Sequence, residues 1–173
     1  MRLIKGILAA LGLIAILLLL AGTAARFGDG PTGLFPGGPL EAGELVTGPE
    51  PDWTLAKDLD TMEFQLVDPP QSRTIWLEVH DKKLYVVSGF MNSPVGRLWK
   101  HWPAEAEADG RAVIRIAGQR YERELVRIID DKTLLDAIGA EVLRKYGQPL
   151  NADSAASGDA WFFAVGPRLS KSD

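Results

Sequence analysis

The chain has 173 residues, no cysteine, two histidines, and 19 Lys and Arg against 23 Asp and Glu, for a formal net charge of −4. Disulfides are thereby excluded, little is left for a zinc site, and the basic face that nucleic-acid phosphates demand is missing, so no nucleic-acid partner is expected. No carboxylate spacing matches a calcium loop, and no metal ligands are nominated.

From Gly6 to Ala25 the sequence runs without a charge, with Arg2 and Lys5 just before it. At about 1.5 Å rise per residue such a helix matches a hydrocarbon core of roughly 30 Å. Residues 1–25 are therefore expected to be a single N-terminal transmembrane helix, with the membrane as partner through residues 3–25. Basic residues stay on the cytoplasmic side, which places the N-terminus inside and the C-terminal domain outside the cytoplasmic (inner) membrane, on a periplasmic face. A cleaved signal peptide is the competing reading, because Gly22, Thr23, Ala24 and Ala25 suit a cleavage site. The apolar run is longer than a signal usually has.

Residues 26–51 are dense in Gly and Pro and lack periodicity, which reads as an irregular spacer. Phe35, Leu40, Leu45 and Val46 are large apolar groups for such a segment, so it is expected to lie across the domain surface rather than swing freely. Residues 52–168 are read as one domain and 169–173 as a polar tail.

Thr61 to Val67 alternates Met62, Phe64 and Leu66 with Glu63 and Gln65, a strand with one face buried. Arg73 to His80 and Leu84 to Gly89 form a hairpin around Asp81, Lys82 and Lys83. Ser93 and Pro94 start a short helical insertion in which Leu98 and Trp102 face the core, and Pro103 interrupts it. Ala112 to Ile116 and Gln119 to Ile129 make a second hairpin. Asp130 or Asp131 caps a helix whose apolar positions, Leu134, Leu135, Ile138, Val142 and Leu143, recur until Tyr146 and Gly147. Pro149 to Asp159 is read as a loop, and Ala160 to Val165 as a central strand. Trp76 and Trp161 are expected in the core. The whole is an α+β class: an antiparallel β-barrel with one amphipathic helix and a short helical insertion, behind a transmembrane helix.

The runs RTIWLEVHDKKLYVVS, LWKHWP, GRAVIRIAGQRYERELVRIID, LRKY and WFFAVGPR, in that order, resemble the split β-barrel of flavin and deazaflavin binders. That group includes deazaflavin-dependent nitroreductase-like and pyridoxamine phosphate oxidase-like proteins. The likeness implies an antiparallel split barrel over Met62 to Arg168, FMN or a deazaflavin as cofactor, and a homodimer with its site between subunits. Carried across by position, the cofactor phosphate would be held by Arg73, Ser88, Asn92, Ser93, Arg97 and Lys100, whose hydroxyls, amides and cationic groups suit an anion. His101 and Trp102, beside Trp99, would cover the ring. Where the deazaflavin branch has a glycine-and-basic signature before the second strand, this chain has PPQSR, in which only Ser72 and Arg73 can stand in.

Two functional readings follow. One is a membrane-anchored, extracytoplasmic split-barrel module with a non-catalytic binding or interaction role, favoured by the altered signature and by the outward placement. The other is a flavin- or deazaflavin-dependent, nitroreductase-like oxidoreductase. No catalytic residue and no specific ligand is nominated.

Overall fold

The computed structural model describes residues 2–33 and 35–168, the side chains of Arg2, Val95 and Trp99 excepted. The tail at 169–173 lies outside the described residues. Helix α1 (Arg2–Ala25) is continuous and long and apolar enough to cross a membrane, and its most apolar stretch has nothing packed over it. Leu13, Leu17 and Leu19 stand 58%, 55% and 71% exposed, so this is not the interior helix of the globular body. Only its last turns touch the rest of the chain, Gly22 lying close against the Phe35 ring.

Eight strands follow: β1 (Glu44–Leu45), β2 (Thr61–Leu66), β3 (Ser72–Trp76), β4 (Glu78–His80), β5 (Lys83–Ser88), β6 (Arg111–Ile116), β7 (Gln119–Ile128) and β8 (Trp161–Pro167). They form one sheet in the order β3-β2-β6-β7-β8-β5-β4, antiparallel throughout this path, with β1 pairing β7 in parallel. The two ends of the path are successive halves of one segment, bent at Leu77, so the sheet curls round into the expected split barrel. Met62, Phe64 and Leu66 of β2, Leu77 at the bend, Ile114 of β6, Leu125 of β7 and Phe163 of β8 fill its inside. A second apolar cluster on the outer face joins Tyr85, Val87 and Phe162 to Leu135, Ile138 and Val142 of helix α4 (Lys132–Tyr146).

Asp131, not Asp130, caps α4 by accepting the Leu134 amide at 3.0 Å, and Gly147 ends it in the left-handed region at φ 68°. Leu143 lies beyond the apolar stripe and is 53% exposed. The insertion is two helices, α2 (Pro94–Trp99) and α3 (Trp102–Ala108), with Pro103 in the first turn of α3 instead of interrupting a single helix. The chain reorients at Lys100 and His101, so helical spacing does not carry from Leu98 to Trp102: Trp102 is buried and Leu98 is 77% exposed. The segment read as loop contains α5 (Ala152–Ala156), closed by a capping box at Asn151 and Ser154. Trp76 is a half-buried outer residue stacked on Tyr146 at 4.2 Å, not a core one. Trp161 sits at the edge of the core with the Arg127 guanidinium 3.6 Å over its ring.

Residues 26–51 are strapped to the barrel. Gly37 bridges to Ser72, whose Oγ donates to the Gly38 carbonyl at 2.6 Å. Arg115 donates to Asp29 at 2.6 Å and to the Ala42 carbonyl at 3.1 Å, and also binds Glu63. The Leu40 amide donates to Gln65 Oε1, which explains how Gln65 is buried on a face expected to be wet. The glycines here serve close approach more than freedom: a Cβ on Gly37 would lie 1.7 Å from the Gly30 carbonyl oxygen.

Candidate binding cavity

A cavity of about 940 Å³ opens between β3, the end of β5, the α2–α3 junction and the last turns of α1. Its position follows from strand parity. Arg73 pairs across the sheet with Phe64, an interior residue, so both point to the same side. Ser88 is in step with Leu84 and Val86, which also face inward. Beneath them Trp102 packs edge-on to Phe64 at 5.3 Å and against Phe163 at 5.6 Å, closing the barrel interior below the cavity.

Five of the eight residues singled out from the sequence meet at this wall: Arg73, Ser88, Lys100, His101 and Trp102. The other three do not line it. Ser93 caps α2, accepting the Gly96 amide at 2.9 Å and donating to the Phe90 carbonyl at 2.8 Å. Asn92 donates from its side chain to the Ser157 carbonyl at 3.1 Å, and Arg97 donates to the Asn92 carbonyl at 2.7 Å and 3.0 Å. These three hold the loop that carries Phe90 and Lys100; they were nominated because spacing along a chain does not reveal which way a short helix turns.

The electrostatics of the wall are uneven. The Arg73 Nε is buried and has no hydrogen-bond partner among the described residues. Burial pulls its pKa down, and the nearby Glu105 carboxylate only partly offsets that. Lys100 is likewise lowered by burial, partly offset by Asp159, and its Nζ donates to the Gly89 carbonyl at 2.6 Å. A guanidinium stays charged under these conditions, so a largely desolvated cation lines the cavity. An anion is the group that would relieve it.

Nothing in the wall forms a nucleophile and base pair. The Ser88 Oγ is turned to the Met91 sulfur at 3.3 Å, and His101 Nε2 lies 3.0 Å from the Leu98 carbonyl oxygen. Among the described residues no group of three or more His, Asp or Glu is placed to hold a metal ion. Two contributors escaped sequence reasoning. Glu105 stands three residues after Trp102 on α3, a spacing that puts both on one helical face. Arg26, with Leu18 and Leu19 of α1, joins the wall through a contact between distant segments that no local pattern reports.

No protein-family model matches the chain, and no curated protein matches it. Solved structures similar to it include a putative pyridoxamine 5'-phosphate oxidase from Listeria innocua (14% identity, 64% of this chain and 85% of that one, TM-score 0.45). An F420 reductase is similar at 14% identity over 70% and 97% of the two chains, with TM-score 0.42. The heme storage protein HutZ from Vibrio cholerae is similar at 9% identity over 65% and 84%, with TM-score 0.40. The likeness is one of barrel architecture, as the order of the sequence runs implied, and residue roles in the cavity rest on this chain's own geometry.

Proposed function

We propose that this protein is a membrane-anchored, extracytoplasmic binding module that holds a phosphate-bearing small molecule in the cavity and does no chemistry on it. The observation that carries the reading is Arg73: a guanidinium whose Nε is desolvated and unanswered, on the wall of a cavity large enough for a cofactor-sized ligand, with Lys100 on the same wall. Helix α1 is the anchor, and Arg2 and Lys5 ahead of it favour an outward domain. The test is a titration of the full chain with FMN, a deazaflavin phosphate and pyrophosphate, read by fluorescence or calorimetry. One-to-one binding is expected, weakened at least tenfold in the double variant R73Q/K100Q. Absence of saturable binding by every phosphate-bearing probe, soluble or lipid, overturns it.

The oxidoreductase is the second reading, favoured by the volume, which admits a tricyclic ring. Arg73 and Lys100 would hold the phosphate of a flavin or deazaflavin, and Trp102 would floor the site. The bound group would supply hydride chemistry while the protein positions it. Turnover of a reduced cofactor with a nitroaromatic acceptor would establish this second reading against the first.

A further inference from the structure

The cavity wall does not belong to the barrel alone: Leu18, Leu19, Gly22 and Thr23 of α1 contribute to it. We propose that the occupant is a net-anionic, phosphate-headed membrane lipid, its headgroup against the cationic wall and an acyl chain against the last turns of α1. This rests on the reading of α1 as an anchor and of the cavity as an anion site.

Helix geometry sets the depth. The apolar span Leu3–Ala25 covers 23 residues, and at about 1.5 Å per residue it is close to the roughly 30 Å of a hydrocarbon core. Ala25 then stands at the outer interface and Arg26 at headgroup level. Leu18 and Leu19 lie about 10 Å deeper, within the outer leaflet's hydrocarbon. One cavity therefore runs from acyl-chain depth to the barrel mouth, which a ligand arriving from water would not need. Charge agrees with the depth. Arg26, Arg73 and Lys100 line the cavity against the single carboxylate of Glu105, an excess that suits one anionic headgroup. Exposed aromatics agree too: Phe90 on the cavity wall is 44% exposed and Phe27, next in sequence to Arg26, is 88% exposed, side chains suited to the interface between headgroups and chains.

The full chain in a mild non-ionic detergent is titrated with dioleoyl phosphatidylglycerol, with dioleoyl phosphatidylcholine and, separately, with FMN, and adducts are counted by native mass spectrometry. One phosphatidylglycerol per chain is expected to survive activation, with phosphatidylcholine held several-fold more weakly. R73Q/K100Q reduces that adduct about tenfold. Thr23→Trp, at an exposed cavity position on the last turns of α1, fills the space while leaving every cation in place and gives the same loss, so the outcome does not hang on one variant's folding. Phosphatidylglycerol retained equally by wild type and both variants is detergent-belt lipid and overturns the inference. FMN bound one to one with no lipid adduct also overturns it while leaving the anion-binding reading intact; binding by neither defeats both.

Discussion

The strap contacts at Arg115 and the bent β3–β4 segment treat charge in contrary ways. On the strap side Arg115 is 11% exposed at its side chain and answered by Asp29, Glu63 and the Ala42 carbonyl, contacts that push its pKa up. Along β3 and β4, Arg73 and Glu78 are left without hydrogen-bond partners at buried atoms. The paired arginine staples a glycine-rich segment to the sheet. Its counterpart Arg73 keeps a buried Nε without a hydrogen-bond partner among the described residues, a free-energy cost that the proposed anion would offset.

Glu78 gives the largest expected effect. It faces α4, beside Tyr85 across the ladder, and burial pushes its pKa up to about 8, with Lys145 partly opposing and Glu141 adding to the rise. A carboxyl raised above its unfolded value binds its proton more tightly in the folded state, so its contribution is fully present below about 4.5 and is lost as pH rises through about 8. Glu78→Gln should therefore leave stability near pH 4 close to wild type and raise it at pH 9 by up to roughly 5 kcal/mol. Thermal melts of the full chain at both pH values measure this; a variant that loses stability at pH 9 would mean that the carboxylate is answered after all.

Arg115→Met comes next. It leaves Asp29 and Glu63 facing each other and unties the strap, and a loss of about 2 kcal/mol is expected in urea titrations. Arg73→Gln sharpens the contrast with a smaller change of opposite sign: stability unchanged or raised by up to about 1 kcal/mol, with ligand binding weakened, though less than in R73Q/K100Q. Arginines that behaved alike in these two experiments would abolish the distinction between brace and site. Arg97→Ala gives the smallest effect, under about 0.5 kcal/mol in stability and at most a slight change in ligand affinity, since among the described residues its side-chain hydrogen bonds go to the exposed Asn92 carbonyl.

Much of the fold was legible because its signals are local. Period-two alternation located β2, the hairpin of β4 and β5 and that of β6 and β7, and the 3.6-residue stripe with an Asp before it and a Gly after it located α4. The site was legible in part. Arg73, Ser88, Lys100, His101 and Trp102 line one cavity, whereas the side chains of Asn92, Ser93 and Arg97 make hydrogen bonds within the neighbouring loops. Phe90, just before them, has φ 58°, and a Cβ on Gly96 would lie 2.0 Å from its carbonyl oxygen. That tight turn aims the short helix, and no composition reports it.

By itself the amino-acid order determined an apolar helix long enough for a bilayer, a cysteine-free globular body, and strands whose parity decides which side chains face inward. Each is a property of neighbours within a few residues, where backbone geometry imposes the period. Only the tertiary structure decided which barrel residues hold the Gly and Pro segment expected to lie across the surface, that β3 and β4 are one bent strand bringing the ends of the sheet together, and that α1 supplies part of the cavity wall. Those are meetings of residues tens of positions apart, Gly37 with Ser72 and Asp29 with Arg115 among them. They are set by which surfaces fit when the sheet curls, and a one-dimensional pattern does not encode that fit.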